Sequence, residues 1–319
     1  MSRPKLEIEE VLLEKLPRGK RFLVAVSGGK DSVSLLYACY SIMNKIGASF
    51  EVAHVDHGIR SNSKSDAEFV KSLAQKYNFP FHLKQIEKAP SSGNLEAWGR
   101  ELRYTFFAEV MKENNLDYFL TAHTADDVAE TLLMRLISNK ETSGIDELDE
   151  KRRCIRPLLN IPRSTINEYV EKNNLEYRED ITNNDVTYLR NRVRHLVMPV
   201  LRDNFDKRIA EVLAYRAGCL YEDTQCLRSL LSTHIATVEK HERFTRAWLR
   251  AVKKEFLQMP KVLKWRFAEE LLLPFLGYRL GRLHGNRAVE FLSGKVQGVE
   301  LPNGVVLRAK SGGVEVLKK

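Results

Sequence analysis

Two short polar segments each follow an apolar, strand-like stretch, and their residue types suit phosphate, metal and amine chemistry. The first is Ser27-Gly28-Gly29-Lys30-Asp31-Ser32, where two glycines let backbone N–H groups approach phosphate oxygens and two serines add hydroxyl donors. A helix that begins here adds the partial positive charge of its N-terminus. Asp31 either caps that helix or holds Mg²⁺ against the phosphates. The spacing differs from the G-x-x-x-x-G-K-[ST] phosphate loop.

The second segment is acidic, with Asp126, Asp127 and Glu130 after the stretch Tyr118–Ala122. On a helix, Asp127 and Glu130 are three residues apart and share a face. Such a pair can receive an ammonium group, or it can simply begin a helix whose macrodipole favours acids there. The residues alone leave both interpretations open. His123, just before them, is more often a hydrogen-bonded structural residue than a ligand.

A further polar group, His54, Asp56 and His57, closes the strand-like stretch Phe50–Val55. In a doubly wound sheet, this position lies beside the base and ribose of a bound nucleotide. A purely structural turn is the alternative.

Three arginines with no acid between them occupy alternate positions in Arg190-Asn191-Arg192-Val193-Arg194. In an extended chain the three arginines face one way, whereas in a helix the outer two align and Arg192 departs. Either arrangement presents guanidinium groups suited to phosphates. Arg100 and Arg103, on a predicted helix from Leu95 to Asn114, are candidate companions.

Strand and helix patterns alternate through the first half of the chain, and these elements must position the polar segments. Strands are predicted at 21–26, 50–55, 79–86 and 118–122, with helices through about 46, at 63–77, at 95–114 and from about 126. This alternation predicts an α/β fold with a doubly wound, Rossmann-like parallel sheet. Ligands of such sheets bind outside the carboxyl ends of the strands, where all these segments fall.

The pattern changes later in the chain. Residues 139–153 are polar and predict a surface loop, whereas long helical patterns cover Ala210–Leu231 and Val238–Phe256. Asn303-Gly304 between β-branched stretches predicts a terminal β-hairpin. We therefore predict an α/β domain of residues 1–204 and a smaller, mostly helical domain of residues 205–319.

Composition narrows the class of protein. The 319 residues include 51 Lys and Arg against 42 Asp and Glu, a net charge of +9 that suits a polyanionic partner or merely a solvated basic face. The same two interpretations apply to the basic, aromatic-containing stretch 240–266. The longest apolar runs are too short for a membrane span, the acidic N-terminal residues do not suit a secretory signal, and the four scattered cysteines predict reduced thiols. A cytoplasmic protein is expected.

The motifs resemble, in order, those of the tRNA(Ile)-lysidine synthase family. The loop S-G-G-x-D-S is the signature of pyrophosphatase-loop enzymes, which split ATP into AMP and pyrophosphate. The other matching motifs are His54-Val55-Asp56-His57-Gly58-Ile59-Arg60, Glu96-Ala97 with Arg100, Arg103-Tyr104, Thr121-Ala122-His123, Asp126-Asp127-x-x-Glu130-Thr131, Arg156-Pro157-Leu158-Leu159, Asp180-x-x-Asn183 and Tyr188-x-Arg190-Asn191-Arg192-Val193-Arg194. Two features depart from the family pattern: residues 138–144 replace a glycine-rich turn, and Lys30 is commoner in sulfur-inserting relatives.

The resemblance implies that L-lysine is joined to C2 of the first anticodon cytidine of a CAU-bearing tRNA(Ile), with ATP converted to AMP and pyrophosphate. It implies an ATP-pyrophosphatase catalytic domain in residues 1–204 and a tRNA-binding accessory domain in residues 205–319. The implied site residues are Asp31, Asp126 and Asp127 for catalysis; Ser27, Gly28, Gly29, Lys30, Asp31, Ser32, His54 and Asp56 for ATP; Asp127 and Glu130 for lysine; Arg100, Arg103, Arg190, Asn191, Arg192 and Arg194 for tRNA; and Asp31 for Mg²⁺.

Two alternatives remain from the sequence. One is a tRNA sulfur-insertion enzyme of the same loop family, although its iron–sulfur versions need clustered cysteines, which this chain lacks. The other is a catalytically silent RNA-binding relative. The sequence leaves the assembly open, with a homodimer as one option.

Overall fold

Short strands alternate with helices through residue 172, and the sequence pattern predicts this alternation as far as the helix that begins near residue 126. The structure, a computed structural model, describes residues 7–56, 63–86, 95–138, 145–179 and 186–318. In chain order, the elements of this region are α1 (Ile8–Lys15), β1 (Arg21–Ala25), α2 (Lys30–Ile46), β2 (Ser49–Asp56), α3 (Ser63–Lys76), β3 (Phe81–Gln85), α4 (Leu95–Glu113), β4 (Tyr118–Leu120), α5 (Ala125–Ile137), β5 (Leu148–Asp149), β6 (Cys154–Ile155) and α6 (Arg163–Lys172).

These strands form one six-stranded sheet in the order β3-β2-β1-β4-β6-β5. All neighbouring pairs are parallel except β5 with β6. The α/β class predicted from the sequence is confirmed. Because the strand order reverses between β1 and β4, a crevice is expected outside their carboxyl ends. The segments that follow these two strands are Ser27–Ser32 and Thr121–Asp127.

Strand β1 is buried on both faces of the sheet, which explains why it is continuously apolar rather than alternating. In β1, Phe22 and Val24 belong to the larger apolar cluster with α1, α2, α3 and α6. Leu23, between them, points to the other face and packs with Phe107 of α4. The strand that leads into the glycine loop is therefore packed on both of its faces.

Helices dominate after residue 186. They are α7 (Leu189–Arg192), a π-helical segment (Val193–Val197), α8 (Met198–Asn204), α9 (Ile209–Ser229), α10 (Ser232–Val238), α11 (Arg246–Gln258), α12 (Lys261–Leu276) and α13 (Arg282–Leu292). A three-stranded antiparallel sheet follows, made of β7 (Gly298–Leu301), β8 (Val305–Lys310) and β9 (Gly313–Lys318). The predicted hairpin is β7 and β8, with Asn303 and Gly304 at positive φ in the turn.

The structure differs from the sequence prediction in three places. The helix predicted at 238–256 is interrupted, because Phe244 has a φ of 67° and Thr245 then caps α11 by accepting the N–H of Trp248. Strand β9 was not predicted. The stretch predicted as a surface loop contains β5 and leads into β6, two-residue strands that are too short to show a period.

Contacts divide the chain into two units, Met1–Leu132 with Gly144–Arg216, and Leu133–Ser143 with Ala217–Lys319. The functional boundary at residue 204 stays a prediction. The second unit has its own apolar core around Trp248, Phe267 and Leu272. Within the described ranges, none of the helices combines the length and apolar character needed to cross a membrane.

Candidate active site

The glycine loop joins β1 to α2 and is held by hydrogen bonds among its own residues. Gly28 has a φ of +94°, a conformation that favours glycine. The Ser27 N–H donates to Ser32 Oγ at 3.2 Å, and Ser32 Oγ donates to the Gly29 carbonyl at 3.0 Å. The Gly28 carbonyl accepts the N–H of Arg178 at 2.9 Å, so a distant segment also fixes the loop. The loop and the N-terminus of α2 thus form a phosphate-binding geometry.

Lys30 does not extend freely from this loop. Its ammonium group lies 4.8 Å from the centre of the Tyr177 ring, one residue before Arg178. The Arg178 guanidinium lies 4.9 Å from the centre of the Phe69 ring. An added Cβ on Gly28 would contact both Phe69 and Val70. The rings of Tyr177 and Phe69 therefore hold two cations, Lys30 and Arg178, beside the loop.

Asp31, in the first turn of α2, has one carboxylate oxygen in an ion pair and one without a partner. Oδ2 lies 3.4 Å from Arg163 Nη2. Oδ1 is buried and accepts no hydrogen bond from the described residues. Burial raises the pKa of Asp31, against the opposing effect of Arg163. An unsatisfied buried oxygen of this kind would be stabilised by a cation.

Asp127 begins α5 and also faces the site. Its Oδ2 accepts the Thr124 N–H at 2.9 Å and the Thr124 hydroxyl at 3.0 Å, as in a capping box. Its Oδ1 has only longer contacts, 3.3 Å to Arg194 and 3.4 Å to Arg163. Burial acts to raise the pKa of Asp127, but Arg163, His123 and the Thr124 N–H outweigh it and the pKa is lowered. Asp127 is ionised at neutral pH.

Glu130, one turn further, is almost fully buried, with 1% of its side chain exposed. Arg194 holds both of its oxygens, with Nε at 2.7 Å and Nη2 at 2.9 Å. Arg163 lies at 3.6 Å and Arg190 at 3.9 Å. The two residues predicted to form one carboxylate pair therefore differ: Glu130 is firmly paired, and Asp127 Oδ1 is open to a stronger donor.

Asp126 lies in the first turn of α5, but its side chain accepts a hydrogen bond from the backbone of α6. Its Oδ2 accepts the backbone N–H of Arg163 at 2.8 Å, and its Oδ1 lies 3.5 Å from Arg202. The first of these contacts satisfies an N–H at the start of α6 that has no partner within the helix. Asp126 thus positions Arg163.

Arg163 was not predicted from the sequence, yet its guanidinium contacts Asp31, Asp127 and Glu130. Burial acts to lower the pKa of Arg163, but these carboxylates raise it well above its ordinary value. One signal was available: Arg163 occupies the first turn of α6, where the helix macrodipole disfavours a cation. A cation there indicates a compensating set of acids.

The run Arg190–Arg194 is helical, so the helical alternative is the correct one. Arg190 and Arg194 both face Glu130, whereas Arg192 is exposed and the buried Asn191 lies between them. Arg194 lies in the π-helical segment, a rare geometry often found at functional sites.

We refer to Asp31, Asp126, Asp127, Glu130, Arg163, Arg190, Arg194 and Arg202 as the charge network. Its four carboxylates and four guanidiniums are equal in number, so their charges balance.

The remaining predicted site residues lie outside the charge network. His54 is buried and donates from Nδ1 to the Val26 carbonyl at 2.8 Å, which links β2 to the end of β1. Asp56 is buried at the end of β2. Arg100 and Arg103 are exposed on α4. His57, Asp180 and Asn183 lie outside the described residues.

His123 follows β4, and its Nδ1 is 2.8 Å from Thr121 Oγ1. Burial lowers the pKa of His123 to about 4, with Arg156, Arg100 and Arg190 acting in the same direction and Asp127 in the opposite one. The imidazole is therefore neutral at pH 7 and can donate or accept one hydrogen bond at Nε2.

This depressed pKa predicts a pH-dependent stability. As the pH falls below about 6.5, His123 binds a proton in the unfolded chain. In the folded protein His123 stays neutral until the pH falls to about 4. The free energy of unfolding should fall over this window, by at most about 1.4 kcal/mol per pH unit from this residue. Urea unfolding of the wild type and of His123→Gln between pH 7.5 and 5 measures how the free energy of unfolding changes with pH. The variant should show a shallower slope, and equal slopes would contradict the assignment.

Comparison with known proteins places this geometry in a family. A family model described as a PP-loop domain matches residues 4–201. A tRNA(Ile)-lysidine synthase from Gloeobacter violaceus is 34% identical over 256 residues, 78% of each chain. One from Treponema denticola is 33% identical, covering 81% of this chain and 58% of its own, and one from Solibacter usitatus is 38% identical, covering 62% and 45%. The chain thus spans about half the length of these last two relatives.

Among solved structures, the fold is similar to that of the U34-tRNA thiolase NcsA from Methanococcus maripaludis with its [4Fe-4S] cluster. The TM-score is 0.55 at 16% identity, covering 67% of this chain and 78% of the thiolase. At this identity the likeness establishes the fold alone. The glycine loop, the acidic start of α5 and the curated relatives together show that the chain belongs to the tRNA(Ile)-lysidine synthase family of PP-loop proteins.

Proposed function

We propose that this chain forms lysidine on tRNA(Ile), with ATP converted to AMP and pyrophosphate. The observation that carries the proposal is the pairing of a phosphate-binding loop after β1 with the charge network after β4, at the switch point of the sheet. Arg163 joins the two by contacting Asp31 and Asp127 together. Family membership supports the same function. Because the substrate is tRNA, we place the protein in the cytoplasm.

The reaction has two steps. The C2 oxygen of cytidine attacks the α-phosphorus of ATP, the bond to the β-phosphate oxygen breaks, and pyrophosphate leaves. The neutral ε-amine of lysine then attacks C2, the C2–O bond breaks, AMP leaves, and the amine loses its proton to solvent. The N–H groups of Gly28, Gly29 and the first turn of α2 stabilise the charge that develops on the departing pyrophosphate.

Asp31 is suited to hold Mg²⁺ beside the phosphates. Its Oδ1 is buried without a partner among the described residues, and carboxylate oxygens are preferred ligands of this ion. When bound, Mg²⁺ supplies positive charge that offsets the phosphates of ATP. One carboxylate alone is a weak site, so Mg²⁺ would bind at Asp31 only together with the phosphates of ATP.

The ε-ammonium group of lysine first binds at Asp127 and Glu130 in this proposal, and it loses a proton to solvent before the neutral amine attacks C2. Asp127 Oδ1 is the direct acceptor, because its present contacts are long and it faces the site. Glu130 acts by holding Arg194, which otherwise competes for Asp127. His54 and Asp56, at the end of β2, remain the proposed contacts to the nucleoside of ATP.

The tRNA contacts are proposed to come from both parts of the chain. Arg192, Arg100 and Arg103 are exposed on the first unit. The predicted domain 205–319 supplies the accessory surface, which includes the basic helices α11 and α12. In this division residues 1–204 carry the chemistry.

Arg192 offers a quantitative test of RNA contact. It is exposed and has no ion pair with the described residues, so it can neutralise a phosphate without breaking the charge network. Arg192→Gln should reduce the slope of log affinity against log salt by about 0.7 to 0.9 for an anticodon stem-loop. Arg18 is an exposed arginine before the amino end of β1, so Arg18→Gln is the matched control and should leave the slope unchanged. Identical slopes for both variants would return Arg192 to a solvated surface role.

The proposed function is tested by pyrophosphate release from ATP with tRNA(Ile) and lysine. Release should require both, and other amino acids should support little. The same assay with a sulfur donor in place of lysine tests the sulfur-insertion alternative. Pyrophosphate release that depends on the sulfur donor would support that alternative. Absence of lysine-dependent release with intact tRNA binding would indicate a catalytically silent relative.

A further inference from the structure

Two cations beside the glycine loop lie outside the charge network, and aromatic rings hold them rather than acids. The Lys30 ammonium group lies 4.8 Å from the centre of the Tyr177 ring, and the Arg178 guanidinium lies 4.9 Å from the centre of the Phe69 ring. Within the described part of the chain, neither cation forms an ion pair with a carboxylate. We refer to Lys30 and Arg178 as the ring-held cations.

The charge network does not supply a net positive charge for phosphates, because its guanidiniums face an equal number of carboxylates. A departing pyrophosphate carries several negative charges and is stabilised by donors that are not already paired. A cation that lies on an aromatic ring keeps N–H donors available on the side away from the ring, whereas a cation in an ion pair shares its donors with the acid. The ring-held cations are therefore the uncompensated positive charge at the loop.

The backbone fixes both cations next to the loop. Lys30 begins α2 directly after Gly29, and the Arg178 N–H donates to the Gly28 carbonyl at 2.9 Å. The Phe69 ring also reaches the loop, since a Cβ added to Gly28 would lie 3.6 Å from it. Both cationic side chains thus start from backbone that belongs to the loop or contacts it.

The Tyr177 ring resolves a competition for Lys30. The neighbouring carboxylate of Asp31 is buried, and its Oδ1 makes no hydrogen bond with the described residues. Such an oxygen attracts an ammonium group, and an ion pair between the two residues would neutralise both of them. Lys30 nevertheless lies on the ring of Tyr177 and forms no ion pair with Asp31. The ring therefore keeps the cation and the carboxylate separate.

We infer that Lys30 and Arg178 bind the β- and γ-phosphates of ATP, and that Tyr177 is a positioning residue that holds Lys30 toward these phosphates and away from Asp31. This inference rests on the proposed function, from which it takes ATP as the substrate. It adds Arg178 and Tyr177 to the phosphate site. The charge network then holds the carboxylates in place, and the ring-held cations contact the anion.

The experiment is equilibrium binding of inorganic pyrophosphate and of AMP to the full chain by calorimetry, without tRNA or lysine and with EDTA to exclude Mg²⁺. Lys30→Gln and Arg178→Gln should each weaken pyrophosphate binding by a factor of about 10 to 100, the worth of a charged hydrogen bond, and should change AMP binding little. Lys76→Gln is the matched control and should bind pyrophosphate as the wild type does. Lys76 also lies over a tyrosine ring, that of Tyr77 at 5.8 Å, but at the last residue of α3.

The role of Tyr177 is tested by replacing its ring. Tyr177→Phe keeps the ring and should bind pyrophosphate as the wild type does. Tyr177→Leu keeps an apolar contact with the core but removes the ring, so binding should weaken by a factor of about 2 to 10. In the Lys30→Gln background, Tyr177→Leu should have no further effect, because the ring acts through Lys30. A packing defect would instead weaken binding by the same factor in both backgrounds.

Thermal unfolding shows that each variant is folded before affinities are compared. Unchanged pyrophosphate affinity in Lys30→Gln and Arg178→Gln would overturn the inference, as would a wild type that does not bind pyrophosphate. An equal effect of Tyr177→Leu in both backgrounds would assign Tyr177 to the core alone. The measurement needs no turnover. If these affinities change as expected and lysine-dependent pyrophosphate release is absent, the result counts against the proposed function alone.

Discussion

Asp31→Ala is expected to abolish lysine-dependent pyrophosphate release and to leave the protein folded. The buried Oδ1 makes no hydrogen bond with the described residues, and burial raises the pKa of the group, so the ionised carboxylate destabilises the folded state at neutral pH. Removing it costs little stability, because Arg163 keeps Asp127 and Glu130 as partners. Activity falls because the variant lacks the only residue of the glycine loop that we propose as a Mg²⁺ ligand, so the charge of the phosphates is no longer offset.

Turnover and thermal unfolding should be measured on the same Asp31→Ala preparation. Asp203→Ala, an exposed aspartate outside the charge network, is the matched control and should behave as the wild type in both measurements. Normal turnover in folded Asp31→Ala would remove Asp31 from the mechanism. Loss of folding would instead show that the Arg163 contact is essential.

Glu130→Gln is expected to raise the lysine requirement strongly, with ATP binding nearly unchanged. Glutamine keeps the shape but removes the charge that holds Arg194 at 2.7 Å and 2.9 Å. Arg194 can then pair fully with Asp127 Oδ1, its second partner at 3.3 Å, and compete with the substrate ammonium group. Because a buried pair loses one member, unfolding should also become easier by roughly 3 to 5 kcal/mol.

The lysine and ATP concentrations for half-maximal activity, measured below the unfolding transition, decide this prediction. Glu147→Gln is a suitable control, because Glu147 pairs with Lys15 near the surface, where one ion pair contributes about 1 kcal/mol or less. Equal weakening of both substrates would indicate a general defect, and an unchanged lysine requirement would assign Glu130 to structure alone.

Local signals were enough to predict the parallel sheet and the glycine loop. Each depends on a few consecutive residues, such as the apolar run before Ser27 and the glycines after it. The short strands β5 and β6 could not be predicted, because two residues carry no period. The break before α11 also has a tertiary cause: the Phe244 carbonyl accepts the N–H of Val314 in β9.

The charge network was predicted only in part for a similar reason. The acids at the start of α5 and the arginines at 190–194 were both identified, but they were assigned to separate ligands. Their contact depends on how α5 and α7 pack, which sequence spacing does not encode. Arg163 is 132 residues from Asp31 along the chain, and only the folded sheet brings them together. Arg156 was recognised as part of a motif, but its burial, with 2% of the residue exposed, could not be predicted from the sequence.

The hydrogen bond from Arg178 to Gly28 has a consequence for biosynthesis. The phosphate loop is made well before Arg178, yet that residue, 150 positions later in the chain, supplies one of the contacts that fix it. Strand β1 likewise waits for β4, since Phe22 pairs with Tyr118. Contacts so far apart in sequence slow folding, because a long loop must close first. Nucleotide binding should therefore mature late in translation, and a nascent chain that ends before residue 178 should lack a finished phosphate site.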